Sequence, residues 1–172
     1  MEETESDTIP MDVVGVRIEL PTNTPILLLR ERDGGRFLPI WIGTNEATAI
    51  ALALEGVEPQ RPMTHDLLKL VTDSLGATVD RVVVTDLRAG TFFADFIIKR
   101  NGDDDEITIS SRPSDAIALA TRTSSPVFAA RAVLDEGGVE IRDEGQEEEI
   151  ERFREFLEDI TPDDFEAGQG PS

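Results

Sequence analysis

Cysteine is absent from the 172-residue sequence, and histidine and lysine are rare, with one and two residues respectively. The absence of cysteine excludes a disulfide-linked scaffold, a thiolate zinc site, an iron–sulfur cluster and a cysteine nucleophile. No apolar run approaches the roughly 18 residues that a membrane helix needs. The first ten residues are acidic and polar, unlike a secretory signal. We therefore expect a cytoplasmic protein that makes no use of the membrane.

The negative charge is concentrated at the two ends of the chain. Residues 1–10 hold four acids and no base, and residues 143–172 hold twelve acids against two arginines, so the ends carry −14 of the formal net charge of −20. The body between them is only mildly acidic. This charge distribution does not provide the basic surface of a tight nucleic-acid binder. A phosphodiester substrate would have to be met locally, by a few arginines or by a bound cation.

Length and charge predict one domain with two tails. Residues 1–10 are expected to be a disordered acidic leader, and residues 11–142 the folded body. Residues 143–172 form an acidic tail, in which an amphipathic helix is predicted over about 146–160. The apolar positions of this helix are Ile150, Phe153, Leu157 and Ile160. The helix would dock either on its own domain or on a protein partner.

Hydrophobic periodicity predicts two successive groups of three strands, each followed by helix. The first group is expected over 11–20, 25–31 and 36–43, with helices over 44–56 and 64–77. The second is expected over 79–87, 91–100 and 106–110, with a helix over 111–122, a short extended piece over 126–130 and a helical turn over 131–138. Gly56 is the expected C-terminal cap of the first helix.

The two groups are similar in sequence. When residues 11–56 are aligned without gaps to residues 78–123, 11 of 46 positions are identical, including the block Ala49–Ala53 against Ala116–Ala120. An alanine-rich composition of both helices could explain that block alone, but the turn glycines and strand isoleucines keep the same register. We therefore predict an α+β fold with mixed β-sheets, in which a duplicated β-β-β-α-α unit, with halves of about 11–77 and 78–142, packs around one core.

The polar residues with chemical potential cluster where strands run into helices. Glu46, Asp66 and Asp115 all fall in predicted first helical turns, where acids also occur simply because they stabilise the helix dipole. Thr44, Thr64 and Ser111 are the expected N-caps.

Two further residues at these junctions favour a site over simple capping. Arg112 precedes a proline at the start of a helix, where its charge opposes the dipole and suits a phosphate or carboxylate partner. His65, the sole histidine, is either an ordinary hydrogen-bonded residue or, beside Asp66, a general base or metal ligand.

Four segments, FLPIWIGTNEATAIALALEG, RPMTHDLL, TFFADFIIKR and SRPSDAIALATR, resemble in order the signature segments of the bifunctional nuclease domain family. The resemblance covers about residues 11–140, and the acidic extension containing EFLEDITPDDF resembles that of actinobacterial members. The resemblance implies an α+β fold, a homodimer or higher homo-oligomer, and a divalent-cation-dependent nuclease acting on DNA and RNA. One position departs from the family pattern, because Ser110 stands where many members have aspartate.

The polar signature of the family maps onto six residues of this sequence, and our hypothesis divides them into a catalytic group and a metal-binding group. The catalytic residues would be His65, Arg112 and Ser114. The metal ligands would be Glu46, Asp66 and Asp115, whose oxygens suit Mg²⁺ or Mn²⁺. The principal hypothesis is weak, sequence-independent binding and metal-dependent hydrolysis of DNA and RNA. The alternative is a non-catalytic dimeric module that binds a small ligand or a protein.

Overall fold

A computed structural model describes residues 7–140 of the chain. The strands are β1 (Thr8–Glu19), β2 (Thr24–Glu31), β3 (Arg36–Trp41), β4 (Ala77–Arg88), β5 (Thr91–Arg100), β6 (Glu106–Ser111), β7 (Val127–Ala130) and β8 (Val139–Glu140). The helices are α1 (Thr44–Leu54), α2 (Thr64–Ser74), α3 (Pro113–Thr123) and α4 (Arg131–Gly137). The predicted tail helix over 146–160 and the first six residues of the predicted leader lie outside the described residues.

All the described strands belong to one eight-stranded sheet, in the order β6-β5-β4-β7-β1-β2-β3-β8. Strands β1 to β3 form an antiparallel meander, and β4 to β6 form a second one. Strand β7 joins the two meanders, because it pairs parallel to β4 and antiparallel to β1. The sheet is therefore mixed, and with its helices it confirms the predicted α+β class.

The order of elements follows the predicted repeat only in part. Each half begins with three strands and a helix, but the second half continues with β7, α4 and β8 where the first half has α2. The duplication of a complete β-β-β-α-α unit is therefore not confirmed.

The first strand begins earlier than the sequence predicts. Strand β1 starts at Thr8 because Thr8 to Met11 pair with β7, with Thr8 opposite Ala130 and Met11 opposite Val127. Ile9 and Met11 are buried, at 8 % and 1 % exposure. The predicted leader over 1–10 is thus wrong for its last three residues, which are held by strand pairing.

The core lies between the sheet and the helices. Helix α3 packs between α1 and α2 and lies over β4 and β5, and α1 lies over β1 and β2. Small residues on α3, such as Ala116 and Ala120, are almost fully buried and let the neighbouring helices approach closely. This packing brings the beginnings of three helices into one region. None of the described helices is long and apolar enough to cross a bilayer.

Helix boundaries agree with the predicted signals at some ends. Pro113 opens α3 at a position where its fixed φ angle suits the first turn. Gly56 follows the end of α1 with φ of 69°, a left-handed conformation that glycine adopts without steric cost, which confirms its capping role. The start of each helix determines the direction in which the side chains of its first turn point.

Candidate functional site

Helices α1, α2 and α3 each carry an acid at their third residue, namely Glu46, Asp66 and Asp115. The sequence correctly predicts these residues in first helical turns. The first turn leaves backbone N–H groups without partners inside the helix, so acids are favoured there. Because the three helices pack side by side, these first turns supply the polar residues of one region.

The predicted side-chain caps are wrong. The residues at the N-cap positions are Gly43, Met63 and Arg112, and none of their side chains has an oxygen that could cap the helix. Thr44 and Thr64 are the first helical residues, and Ser111 is the last residue of β6. At α2 the acid supplies a capping contact instead, since Asp66 Oδ2 accepts a hydrogen bond from the Met63 N–H at 3.0 Å.

Arg112 joins two of the three acids. Its Nε donates to Asp115 Oδ2 at 2.9 Å, and its Nη2 donates to Glu46 Oε1 at 2.9 Å. The side chain of Arg112 is 65 % exposed, whereas that of Glu46 is 17 % exposed. The guanidinium therefore lies at the surface over two partly buried carboxylates that come from different helices.

His65 completes this group from the third helix. Its Nε2 lies 2.9 Å from Asp115 Oδ1, and the residue is 7 % exposed. An ionised carboxylate only accepts hydrogen bonds, so Nε2 carries the proton in this contact. Asp115 thus accepts from His65 through one oxygen and from Arg112 through the other. We call Glu46, His65, Arg112 and Asp115 the Arg112 cluster.

Asp66 does not join the Arg112 cluster, although it is adjacent to His65 in sequence. Its Oδ1 accepts a hydrogen bond from Arg122 Nε at 2.7 Å. Arg122 is 7 % exposed at its side chain and also donates to the carbonyls of Ala118 at 2.8 Å and Ala49 at 3.0 Å. This buried arginine connects α2, α3 and α1, and its contacts are those of a structural residue.

Neither Ser114 of the predicted signature nor Ser110, the position that departs from the family pattern, belongs to the Arg112 cluster. Ser114 is buried at 5 % exposure, and its hydroxyl makes no hydrogen bond with the four cluster residues. Its catalytic role stays a prediction. Ser110 is paired with Asp95 of β5, so both side chains lie on the sheet face opposite the one that Phe96 and α3 share. The replacement of aspartate by Ser110 therefore removes no carboxylate from the cluster.

The cluster and Arg122 keep the carboxylates ionised. For Glu46, a hydrogen bond from its own backbone and the contact with Arg112 lower the pKa. For Asp115, burial would raise the pKa, but the hydrogen bonds from His65 and Arg112 outweigh it, so the pKa lies below its usual value. For Asp66, burial would also raise the pKa, but the hydrogen bonds from Arg122 and from the Met63 N–H together outweigh it, so the pKa is lowered.

Gly43 gives the Glu46 carboxylate the room it needs. A Cβ atom at position 43 would overlap Glu46 Oε2, so the carboxylate folds back over a residue without a side chain. This placement holds Glu46 within reach of its own backbone N–H and of Arg112.

The predicted divalent-cation site does not fit this arrangement. Glu46 and Asp115 are bridged by the Arg112 guanidinium, and Asp66 is paired with Arg122. Among residues 7–140, no three His, Asp or Glu side chains are placed so that they could hold a metal ion. The three acids have the right oxygen chemistry for Mg²⁺ or Mn²⁺, but arginines occupy the positions between them.

Two residues of interest were not predicted from the sequence. Arg122 lies seven residues after Asp115, on the same face of α3, so helical periodicity was a usable signal. Asp95 is a half-buried acid in the middle of β5, and the only signal was a charge inside an otherwise apolar strand.

Comparison with known protein families matches residues 27–142 to the Bifunctional nuclease domain. An uncharacterized protein of Mycobacterium tuberculosis is 49 % identical over 163 residues, which cover 90 % of this chain and 96 % of that protein. Bifunctional nuclease 2 of Arabidopsis thaliana is 29 % identical over 131 residues, covering 74 % of this chain and 40 % of the plant protein. Bifunctional nuclease 1 of the same plant is 27 % identical over 124 residues, covering 71 % and 38 %. Because the family match spans well over half of the sequence and includes every residue of the Arg112 cluster, the chain belongs to the bifunctional nuclease domain family.

Proposed function

We propose that this protein hydrolyses phosphodiester bonds of DNA and RNA, without strong sequence preference, at the Arg112 cluster. The observation that carries the proposal is the sharing of Asp115 by an exposed guanidinium and a buried imidazole, each at 2.9 Å. An arginine that can bind phosphate thus lies beside a histidine that can move a proton. Family membership supports the reaction class, because plant relatives are named bifunctional nucleases.

Arg112 is the group that would bind the phosphate. Its Nε and Nη2 donate to the carboxylates, whereas Nη1 makes no hydrogen bond with a described residue. The free N–H groups of the first turn of α3 also favour an anion. Charge that develops on the phosphate oxygens in the transition state would be stabilised by these donors.

His65 would act as the general base. With Nε2–H donated to Asp115, the lone pair of the imidazole is on Nδ1. Nδ1 takes a proton from a water molecule as the water oxygen bonds to phosphorus and the phosphorus–oxygen ester bond breaks. Solvent protonates the leaving oxygen and takes the proton back from His65. Asp115 fixes the tautomer and stabilises the imidazolium.

The predicted Mg²⁺ or Mn²⁺ ion stays a prediction, and no step above uses one. Substrate binding is expected to be weak and to weaken further with salt, because the chain has a formal net charge of −20 and few basic residues near the site. The cytoplasmic location also stays a prediction.

A second candidate function, the non-catalytic dimeric binding module, is favoured by one surface of α2. Apolar side chains that are each 43 to 77 % exposed follow one another along this helix from its N-cap to its C-cap, namely Met63, Leu67, Leu70, Val71 and Leu75. Contiguous exposed apolar patches commonly mark protein interfaces. If a second copy covers this patch, the protein sediments as a dimer and Leu67→Glu sediments as a monomer. Equal sedimentation of both would remove this candidate.

The nuclease proposal is tested with Arg112→Gln on labelled single-stranded DNA and RNA. Loss of the guanidinium is expected to lower the hydrolysis rate by about a hundredfold or more. Arg88→Gln is the matched control, because Arg88 is 70 % exposed and its Nε also donates to a carboxylate, that of Asp86. Equal rates for Arg112→Gln and Arg88→Gln would exclude the Arg112 cluster as the site of hydrolysis.

A further inference from the structure

The sheet face opposite α3 contains a concavity of about 790 Å³. This volume lies within the range of about 300–1,000 Å³ that is typical of small-molecule sites. Its lining includes the apolar side chains of Val83, Ile97 and Phe128 and several polar side chains, among them that of Asp95. The pairing of Asp95 with Val83 and of Val83 with Phe128 places these residues side by side on three adjacent strands.

The carboxylate of Asp95 has no partner of opposite charge among the described residues. Among residues 7–140, no side chain or backbone group makes a hydrogen bond or ion pair with its carboxylate. Burial alone raises its pKa, with no opposing contact. Two other partly buried acids, Asp66 and Asp115, are each held by an arginine. A partly desolvated carboxylate without a partner costs folding free energy, and a cation bound beside it would reduce that cost.

The cations near the concavity are already engaged. Arg81 makes two hydrogen bonds with Glu106, at 2.9 and 3.1 Å, and one with Asp80 at 2.7 Å. Lys99 lies 3.4 Å from Asp80 and 3.7 Å from Glu106. None of these contacts reaches Asp95. The charged residues lining the concavity are Asp7, Asp95 and Glu106 against Arg81 alone, so its net charge is negative.

We propose that this concavity binds an organic cation, specifically a primary ammonium group on an aliphatic chain. The ammonium would pair with the Asp95 carboxylate, and the methylene groups would cover Val83, Ile97 and Phe128. A bare metal ion fits less well, because Val83, Ile97 and Phe128 offer it no ligands and no group of three ligands exists among the described residues. An anion is opposed by the negative lining.

Threonine hydroxyls can complete the ammonium's hydrogen bonds. Thr85 donates its own proton to the Phe93 carbonyl at 3.3 Å, which leaves its oxygen lone pairs to accept. Thr108 also lines the concavity, from β6. An ammonium has three donors and no acceptor, so one carboxylate and two hydroxyls match it in number and in kind.

The test is calorimetric titration of the full chain with 1,5-diaminopentane at low ionic strength. Saturable binding is expected, and Asp95→Asn is expected to weaken it by about tenfold or more, which is the loss of one charge-assisted hydrogen bond. The matched control is Asp73→Asn, since Asp73 is an exposed acid of α2 outside the concavity. 1-Pentanol, which has the aliphatic body without the charge, is expected not to bind at the same concentrations.

Folding is checked on the same samples. Asp95→Asn removes an unpaired carboxylate, so its melting temperature is expected to equal or exceed that of the parent protein. A second variant, Thr108→Lys, places a fixed cation on the rim and is expected to abolish binding through charge repulsion and occupation of the space. The proposal is overturned if the parent protein shows no saturable binding. It is also overturned if Asp95→Asn or Thr108→Lys binds as tightly as the parent, or if 1-pentanol binds equally well.

Discussion

Replacing Arg122 with methionine is expected to destabilise the fold strongly, whereas Arg112→Gln should leave its stability nearly unchanged. The Arg122 side chain is 7 % exposed and donates to Asp66 and to two helical carbonyls. The Arg112 side chain is 65 % exposed and donates to two carboxylates. The two arginines make similar numbers of contacts, so solvent access is the main physical difference between them.

The magnitudes follow from that difference. Removing one partner of a buried ion pair costs about 3–5 kcal/mol of unfolding free energy. Asp66 keeps the hydrogen bond from Met63 and is 24 % exposed, so the lower end of that range is expected. An exposed ion pair contributes about 0–1 kcal/mol. For a domain of this size the melting temperature should fall by roughly 10 °C for Arg122→Met and by less than about 4 °C for Arg112→Gln.

Thermal unfolding followed by far-ultraviolet circular dichroism measures both values under one set of conditions. Arg122→Lys serves as an internal comparison, because it keeps the charge but loses the planar fork that reaches three acceptors, and its melting temperature should lie between those of the parent and Arg122→Met. Equal melting temperatures for Arg122→Met and Arg112→Gln would refute the assignment of Arg122 as the buried structural arginine.

Three further outcomes follow from the same contacts. Folding lowers the pKa values of Glu46, Asp66 and Asp115. The stability that these carboxylates contribute is therefore complete above about pH 4.5 and is lost as the pH falls through the lowered pKa values. Urea unfolding midpoints that stay constant between pH 5 and pH 2 would contradict this. Arg112→Gln removes the guanidinium that lies between the Glu46 and Asp115 carboxylates. Calorimetric titration should therefore show that Mn²⁺ binds this variant about tenfold more tightly than the parent protein. An unchanged affinity would count against competition between the arginine and the cation. Gly43→Ala should displace the Glu46 carboxylate and lower the hydrolysis rate. The free energy of unfolding should change by less than about 1 kcal/mol, because only the end of a flexible side chain must move. A rate equal to that of the parent protein would show that Glu46 is dispensable for hydrolysis.

Strands and helices were largely predictable because their signals are local. Strand β5 covers Thr91–Arg100 as predicted, since a turn at Gly90 and an Asn101-Gly102 turn bracket an apolar run. The start of β1 was not predictable from its own residues, because Thr8 to Met11 are ordered by pairing with β7, more than a hundred residues later in the chain. Long-range strand pairing leaves no mark in the local pattern.

The residues of the Arg112 cluster could be predicted from the sequence, but the hydrogen bonds between them could not. Glu46 and Asp115 were identified as first-turn acids from their position alone. Their common contact with Arg112 depends on α1 and α3 packing side by side, which β7 makes possible by joining the two meanders. The same packing pairs Asp66 with Arg122 rather than with Arg112. A sequence shows which side chains are near a helix start, whereas the tertiary packing decides which of them meet.

The most direct test of a hydrolytic site at the Arg112 cluster is the rate at which the purified full chain and His65→Gln cleave labelled single-stranded oligonucleotides. Glutamine can still donate a hydrogen bond to Asp115 but cannot take a proton from water, so the rate is expected to fall by about a hundredfold or more while the melting temperature changes little. A rate for His65→Gln equal to that of the parent protein would show that His65 is not the base, and that any cleavage observed arises elsewhere.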